Sequence, residues 1–404
     1  MPKREKRYKL KRKRTSLKAT NAGPILAFSA TIAAILGVIV LIVFVGLPAL
    51  LPKIGINYNP PWQPTPTPRP TARPTPTPHP AAITDPVDLQ HEVVLSGYSK
   101  YNWFADPYAY NNALIFTAGH LVGSDVRMDL LFRYNITTGE AQEIDAPLEN
   151  QNYVYPMMND RWLVYLDAKT NGGGYIRAKH LDTGELYVVK QVYADQPVLQ
   201  LDGDTLAWIE RTGTRMDKLF VCDLNTLENT AIRLFSGTAY GQSAVSMSKG
   251  QIVFADIASG ETGNAGETSA EQPTSAIYSL TLSDQSFKPY TPGTYVHDPL
   301  TNGKQWIWRS GSHGPGDDLY MTQNGADTKL IGTDIADYGI SEHFAAYSKN
   351  EAIFVYFFDN GQTIQITPDI ERERTQLLGV SNGVVIWMDV TSRERDIMKY
   401  AVVK

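Results

Sequence analysis

The string TLAWI at residues 205–209 is one of seven short apolar strings in this chain with an aromatic residue in the fourth position. The others are ALIFT (113–117), WLVYL (162–166), QIVFA (251–255), QWIWR (305–309), FAAYS (344–348) and VVIWM (384–388). Their aromatic residues, spaced 39 to 54 residues apart, are Phe116, Tyr165, Trp208, Phe254, Trp308, Tyr347 and Trp387. A repeat of about 40–50 residues built from short strands is typical of a β-propeller with one four-stranded blade per repeat. Because one blade cannot bury its apolar faces alone, the blades are expected to close into a ring.

A second column of residues supports the same repeat. After a polar loop, each string is followed by a further strand with an apolar residue in register: Leu131, Tyr175, Leu219, Ile277, Leu319, Ile353 and Ile397. The residue after each of these is aromatic or large: Phe132, Ile176, Phe220, Tyr278, Tyr320, Phe354 and Met398. Turns such as Thr138-Gly139 and Asn360-Gly361 supply the positive-φ residues that tight hairpins need. The sequence therefore predicts an all-β, seven-bladed β-propeller, with an irregular β-sandwich as the alternative.

The two ends of the propeller are expected to share one blade. After residues 384–388 and 397–402 the chain reaches Lys404 without an outer fourth strand. The apolar run Glu92–Ser96 lies upstream of the first repeat and would supply that strand, which removes an exposed sheet edge. We therefore predict seven blades over residues 86–404. Six blades is the competing count, if the repeat around Phe344–Tyr347 packs differently.

Residues 24–51 are predicted to form a single transmembrane helix. The stretch is uncharged and exceeds the roughly 20 apolar residues that cross a bilayer. A secretory signal peptide, the alternative, has a shorter apolar region and an Ala-x-Ala-like cleavage site, which residues 48–52 do not resemble. Residues 1–23 hold ten basic residues against Glu5 alone, so the positive-inside rule places this tail in the cytoplasm and the propeller outside the cell membrane. A nucleic-acid-binding patch is the other interpretation of the basic tail.

Residues 52–85 are predicted to be an extended linker between the anchor and the propeller. Ten prolines lie between Pro60 and Pro80, mostly alternating with polar residues. Such a sequence adopts polyproline II at about 3.1 Å per residue, so some 20 residues extend over roughly 60 Å. A ligand for a proline-binding domain and a glycosylated stalk are the alternatives to a plain spacer.

The charge of the chain is unevenly distributed. The whole chain carries −5, whereas residues 84–404 hold 24 basic and 41 acidic side chains, a net of about −17. That balance argues against binding of the propeller to nucleic acid or to an anionic surface, and it suits a cationic partner. Cys222 is the only cysteine, so no intrachain disulfide is possible, and it is expected to be a small core residue.

Acidic residues recur two positions after the aromatic of each string. The seven residues at this position are Ala118, Asp167, Glu210, Asp256, Ser310, Lys349 and Asp389. They are expected near the rim of the channel where ligand-binding loops gather. A ring of carboxylates could bind a cation or an amino-bearing ligand. Alternatively, carboxylates at strand ends bind loop backbone.

The loops after these strands carry further candidates. Arg309 and His313 share one glycine-rich loop with Asp317, His120 and Asp125 lie on the corresponding loop of the first blade, and Arg393 lies on that of the last. The predicted ligand-binding set is therefore His120, Asp125, Asp167, Glu210, Asp256, Arg309, His313, Asp389 and Arg393.

No catalytic motif is recognisable in the sequence. It lacks a Gly-x-Ser-x-Gly elbow, a His-Glu-x-x-His pair and a phosphate-binding Gly-x-x-x-x-Gly-Lys, and its seven histidines do not cluster at metal-ligand spacing. We therefore expect no metal, no cofactor and no enzymatic activity. A glycosidase would need two carboxylates at a defined separation, which a sequence does not give.

The repeats resemble the TolB-like, WD40-like bacterial β-propellers, which often carry Pro-x-Trp-Ser-Pro-Asp-Gly before a strand. Pro197, followed by Asp202-Gly203, keeps part of that motif and loses its Trp, Ser and second Pro. Asn302-Gly303 and Asn382-Gly383 occupy the Asp-Gly position in two more repeats, and Leu219–Asp223 is similar to the second strand of the motif. The resemblance covers about residues 90–404. It implies the fold and protein–protein interaction at the cell envelope, and it transfers no catalytic residue.

The leading hypothesis is a single-pass bacterial membrane protein that displays a non-catalytic propeller. Its expected partners are the bilayer, through residues 24–51, and a protein, peptide or glycan outside the cell. The alternative is an envelope hydrolase or lyase with its site at the mouth of the propeller channel.

Overall fold

The computed structural model describes residues 91–403 apart from eight short internal segments, which are 194–195, 212–216, 236–243, 258–274, 292–294, 312–315, 369–372 and 393–395. These residues belong to one compact unit, residues 82–404. The predicted tail (1–23), anchor (24–51) and linker (52–85) lie outside the described residues. Within the described part of the chain, no helix is long and apolar enough to cross a membrane.

Strand β1 (His91–Glu92) precedes six complete blades and three strands of a seventh. Blade one consists of β2 (Trp103–Tyr110), β3 (Ala113–Val122), β4 (Asp125–Asn135) and β5 (Ala141–Glu143). Blade two consists of β6 (Asn152–Met158), β7 (Trp162–Ala168), β8 (Gly174–His180) and β9 (Leu186–Val192). Blade three consists of β10 (Gln200–Asp202), β11 (Thr205–Glu210), β12 (Lys218–Asp223) and β13 (Glu228–Leu234). Blade four consists of β14 (Ser246–Ser248), β15 (Gln251–Ile257), β16 (Ser275–Thr281) and β17 (Ser286–Tyr290). Blade five consists of β18 (Val296–Thr301), β19 (Gln305–Ser310), β20 (Asp317–Gln323) and β21 (Lys329–Ile335). Blade six consists of β22 (Tyr338–Ile340), β23 (Phe344–Lys349), β24 (Ala352–Phe357) and β25 (Thr363–Gln365). Blade seven has β26 (Thr375–Ser381), β27 (Val384–Asp389) and β28 (Ile397–Val402).

Each blade is a four-stranded antiparallel sheet, and its first strand lies closest to the channel. The first strand of every blade contacts the first strand of the next blade, and β26 contacts β2, so the seven blades form a closed ring. The seven-bladed prediction is therefore confirmed, and the six-bladed alternative is wrong.

Blade seven is completed by the N-terminal strand, as predicted. Strand β1 pairs with β28, with His91 opposite Tyr400 and Glu92 opposite Lys399. The backbone N–H of Val93 adds one more hydrogen bond, 2.9 Å to the carbonyl oxygen of Met398. The closing strand thus begins one residue before the predicted run Glu92–Ser96 and, with the bond from Val93, covers only its first two residues.

The seven marker aromatics lie in the second strand of each blade and are buried. In five blades the marker stacks on the aromatic residue opposite it in the third strand. Those pairs are Phe116–Phe132, Trp208–Phe220, Phe254–Tyr278, Trp308–Tyr320 and Tyr347–Phe354, with ring centroids 5.5 to 6.0 Å apart. Such pairs stabilise the fold beyond the apolar area that they bury.

Blades two and seven depart from this pattern. Tyr165 lies opposite Arg177, and Trp387 lies opposite Lys399. Ile176 and Met398, which the sequence pattern placed in the column of large residues, therefore each lie one position before the residue that faces the marker. In these two blades Arg177 and Lys399 occupy the position that an aromatic residue has in the other five. A sequence pattern based on large apolar residues therefore fits the preceding position.

Candidate functional site

The channel has two ends, which differ in the connections between strands that lie there. At one, which we call the turn end, lie the turns that join the first and second strands of each blade. At the other, the loop end, the second strands finish and the loops to the third strands begin. The described residues include every one of the seven turns at the turn end.

A cavity of about 1090 Å³ occupies the channel on the side of the turn end. It is lined by the inner strands and by turns from all seven blades, among them Asp160, Gly203, Lys249, Asn302, Glu342 and Asn382. We call it the channel cavity. The candidate residues were predicted at the loop end, whereas this cavity lies toward the opposite end.

Bulges in two inner strands place side chains on the wall of the cavity. The pairing of β2 with β3 slips at Asp106-Pro107, and that of β6 with β7 slips at Tyr155-Pro156. Proline has no N–H to donate to the ladder, so it favours a bulge in such a strand. Asp106 and Tyr155 have φ angles of 49° and 50°, and both line the cavity. Positive φ at a residue other than glycine costs of order 1–3 kcal/mol and is concentrated at functional sites.

Asp106 and Tyr155 are directly linked across the junction of blades one and two. The backbone N–H of Tyr155 donates to Oδ2 of Asp106 over 3.0 Å. Burial raises the pKa of Asp106, and this hydrogen bond only partly opposes the rise. A carboxyl with a raised pKa in a cavity is a common feature of binding and catalytic sites.

The other ionisable residues of the cavity wall are already engaged. Arg161 pairs with Asp204 over 2.6 Å, and Lys249 pairs with Glu342 over 2.9 Å. Tyr108 and Tyr110 add hydroxyl groups to the wall. Burial raises the pKa of each tyrosine. The lining thus combines tyrosine rings with an excess of carboxylates over cations.

Hydrogen bonds join each blade to the next at the turn end. They are Asn111 Nδ2 to Asp160 Oδ1 (3.2 Å), Asn159 Nδ2 to Gly203 O (2.7 Å), Gly250 N to Asp202 Oδ2 (2.6 Å), Thr301 N to Ser246 Oγ (3.0 Å), Asn302 Nδ2 to Ser341 O (2.9 Å), Gly383 N to Ser341 Oγ (2.8 Å) and Asn382 Nδ2 to Ala109 O (2.6 Å). Asp202, Asn302 and Asn382 are the residues at the Asp-Gly position of the sequence motif. This ring of bonds holds the mouth of the cavity in one preformed shape.

We expect Asp106→Asn to stabilise the folded protein at neutral pH. Burial raises the pKa of Asp106 in the folded state above its value in the unfolded chain. The free energy of unfolding therefore falls as the pH rises from the ordinary Asp range through the raised pKa, and no such loss occurs at lower pH. The amide cannot ionise, still offers an oxygen to the N–H of Tyr155, and tolerates positive φ. Urea unfolding of both proteins at pH 4 and pH 7.5 measures the difference, which should grow with pH. A difference that does not change with pH would contradict this account.

The acidic residues predicted at strand ends form ion pairs within and between blades. Asp167 binds Arg177 (2.9 Å), Asp256 binds Arg233 (2.6 Å), Asp389 binds Lys399 (2.9 Å), and Glu210 lies 3.9 Å from Lys190. Asp167 also accepts hydrogen bonds from the backbone N–H groups of Glu149 and Asn150. These four acids belong to four different blades and do not share one site. No described group of three or more His, Cys, Asp or Glu side chains is placed to hold a metal ion.

The remaining predicted residues are also dispersed. In blade one, Nδ1 of His120 lies 3.2 Å from Asp129, and Asp125 is exposed at the first position of β4. The guanidinium of Arg309 binds the carbonyl oxygen of Ala336 and lies 5.5 Å from the ring centroid of Tyr338. His313 and Arg393 lie outside the described residues.

Asp317, at the end of the glycine-rich loop, has a partner that the sequence did not indicate. Its Oδ2 lies 3.1 Å from Nε2 of His297, whose Nδ1 lies 3.1 Å from Oδ2 of Asp298. His297 is fully buried on the inner strand of blade five. This array therefore connects strands β18 and β20 and offers its imidazole to no ligand in the present conformation.

Sequence reasoning missed Asp106 and Tyr155. Both immediately precede a proline in an inner strand, and Asp298-Pro299 repeats the pattern with a φ of 49° at Asp298. A recurrent x-Pro at one phase of the repeat was therefore the available signal.

Comparisons with known proteins support the fold. Neither a family model nor a curated protein matches the sequence. The chain is similar to the β-propeller domain of the Trilobed protease from Pyrococcus furiosus, with a TM-score of 0.56 and 12% identity over 74% of this chain and 93% of that chain. That domain has an open velcro topology, whereas here β1 completes blade seven.

An acylaminoacyl peptidase is similar with a TM-score of 0.54 and 11% identity over 76% of this chain, which spans 52% of that chain. TolB from Acinetobacter baumannii is also among the similar structures, with a TM-score of 0.37 and 12% identity over 73% of this chain and 78% of that chain. At 11–12% identity the likenesses to the Trilobed protease domain and to the acylaminoacyl peptidase show the fold alone. The β-propeller that the TolB-like resemblance implied is confirmed, and the function is left to the site.

Proposed function

We propose that this protein is a membrane-anchored, non-catalytic binding module whose propeller binds a protein, peptide or glycan at the cell envelope. Residues 24–51 anchor it in the bilayer, residues 1–23 lie in the cytoplasm, and the propeller faces the outside of the membrane. The support for this topology is the uncharged 24–51 stretch next to the basic tail.

The observation that carries the binding role is the channel cavity. At about 1090 Å³ it is slightly larger than the roughly 300–1,000 Å³ usual for small-ligand sites, and tyrosines and carboxylates are among the residues that line it. The ring of hydrogen bonds between blades fixes its mouth before a ligand arrives. A preformed site loses less entropy on binding than one that must be ordered.

The proposal predicts that filling the cavity abolishes partner capture. Ser248 lines the cavity on blade four, so Ser248→Trp should obstruct it. The matched control is Ser124→Trp, which places the same side chain on an exposed turn at the loop end. Full-length protein in detergent, immobilised and exposed to solubilised envelope fractions, should retain a partner as wild type and as Ser124→Trp.

Ser248→Trp should lose that partner while keeping the circular dichroism spectrum of the wild type. Capture that survives Ser248→Trp but is lost in Ser124→Trp would place the binding surface at the other end. A protein that retains no partner and instead turns over a glycan or peptide library would exclude the binding role.

A catalytic role in hydrolysis or elimination is the second candidate, and Asp106 is the observation in its favour. A buried carboxyl whose pKa is raised can act as a general acid. On this hypothesis Asp106→Asn abolishes turnover of the library, whereas a binding module shows no turnover in either form.

A further inference from the structure

Asp106 differs from the other acidic residues that line the channel cavity. Asp204 and Glu342 each have a cationic partner, and Asp202 and Asp160 accept hydrogen bonds from the turns of neighbouring blades. Asp106 accepts one hydrogen bond, from the backbone N–H of Tyr155, and none of the described Lys, Arg or His side chains pairs with it. It is also more withdrawn from solvent than an ordinary surface carboxylate, so its negative charge is poorly compensated.

Aromatic rings accompany this carboxyl on the cavity wall. Tyr155 is its hydrogen-bond partner across the blade junction, and Tyr108 lies two residues further along the same strand. Both tyrosines are among the residues that line the cavity with Asp106. The face of a tyrosine ring attracts an ammonium or guanidinium group, and this attraction strengthens where water is excluded. Rings and a carboxyl are therefore combined in the way that suits an organic cation.

The charge of the whole domain favours the same kind of ligand. Residues 84–404 carry about −17, and the cavity wall holds more carboxylates than cations. A cleft of one charge sign raises the local concentration of ligands of the opposite sign and accelerates their association. The cavity is also larger than a single ammonium group needs, so it can hold several residues of a chain around that group.

We propose that the channel cavity binds a lysine or arginine side chain of a peptide segment, and that this cation pairs with the carboxylate of Asp106 against the rings of Tyr108 and Tyr155. The inference rests on the proposed binding role of the same cavity and names the chemistry that the ligand must carry. The strained bulge at Asp106 then positions the carboxylate on the cavity wall, and the incoming cation supplies the compensating charge that the described residues do not.

The test uses full-length protein in detergent and capped hexapeptides that are identical except for one central residue, which is Lys, Arg, Gln or Glu. Isothermal titration calorimetry at low salt measures each affinity. The Lys and Arg peptides should bind at least about 30-fold more tightly than the Gln and Glu peptides, because an unpaired carboxylate penalises a neutral or anionic ligand.

Two substitutions that each remove one negative charge distinguish a specific effect of Asp106 from an effect of the overall negative charge of the propeller. Asp106→Asn should weaken the Lys peptide about 30-fold, whereas Asp182→Asn, on an exposed turn of blade two, should leave its affinity within about two-fold. Asp106→Glu, which keeps the charge, should retain more affinity than Asp106→Asn. Because Asp106→Asn is expected to be at least as stable as wild type at neutral pH, its lost affinity is not a folding defect.

Each outcome bears on one proposal or on the other. Equal affinities for the Lys and Gln peptides, or equal affinity of wild type and Asp106→Asn for the Lys peptide, would overturn the inference about the cation. Absence of binding by every peptide would overturn it as well. The binding role itself depends on the separate Ser248→Trp experiment, so a neutral ligand that Ser248→Trp excludes would leave that role standing.

Discussion

Asp167→Ala is expected to lower the free energy of unfolding by about 3–5 kcal/mol. The carboxylate is fully buried, and it binds Nε of Arg177 over 2.9 Å and the backbone N–H groups of Glu149 and Asn150 over 3.0 and 2.8 Å. Removing it leaves two loop N–H groups without this acceptor and leaves a buried guanidinium with the exposed Glu149 as its anionic partner. Urea unfolding followed by circular dichroism measures the loss.

The propeller itself provides the design that should restore part of this stability. At the equivalent positions blade one has Ala118 and Phe132, so the double substitution Asp167→Ala with Arg177→Phe replaces the ion pair by the apolar arrangement of blade one. We expect the double variant to be at least about 1 kcal/mol more stable than Asp167→Ala alone. As a surface control, Asp182→Ala should change stability by no more than about 0.5 kcal/mol. A double variant less stable than the single would show that the two residues are not coupled in this way.

Trp387→Ala is expected to cost a similar amount, about 3–5 kcal/mol. The side chain is fully buried in the cluster that joins blades six and seven, with Phe344, Val385 and Ala401 among its neighbours. Its Nε1 donates to Oε1 of Glu373 over 3.0 Å. The substitution therefore leaves a cavity in the core and removes one hydrogen bond of a buried carboxylate.

Two further variants separate these contributions. Trp387→Phe keeps an aromatic ring and loses the donor, and Glu373 keeps Lys399 at 2.7 Å, so the cost should be clearly smaller than for alanine. Trp103→Ala removes the same side chain from a position that is 40% exposed, and it should cost less than about 1 kcal/mol. If Trp103→Ala were as damaging as Trp387→Ala, burial would not be the reason for the marker column.

The sequence was most informative about the second strands. These strands are buried on both faces, so their aromatic and aliphatic residues recur at one phase in every blade, as Trp208 and Trp387 illustrate. The closing strand was predictable because the last repeat lacked an outer fourth strand and an apolar run before the first repeat belonged to no repeat of its own. The register failed only where Arg177 and Lys399 take the place of an aromatic residue.

The site was much less predictable, because an acid at a strand end looks the same in sequence whether it binds a ligand or an arginine. Asp167 and Asp256 are both fully buried and paired. Asp106, by contrast, lies on an inner strand whose pairing is interrupted by a bulge, and such strands carry no regular apolar pattern. Which carboxyl lies on a cavity wall is a property of the closed ring, which brings seven separate inner strands together.

The closing strand has a mechanical consequence. Strand β1 is the first described strand and forms the outer edge of blade seven, where it pairs with β28 through His91 and Glu92 and one further bond from Val93. A tension applied at residue 91 is therefore transmitted first to these few bonds and to the hydrogen bond that Tyr134 of blade one donates to the carbonyl oxygen of Glu92 over 3.5 Å. Peeling β1 would leave blade seven with three strands and would open its edge, while the bonds at the turn end would still join its inner strand to both neighbours. Of the described strands, β1 is the shortest, so the closure of blade seven depends on fewer residue pairs than any other strand pairing in the described part of the ring.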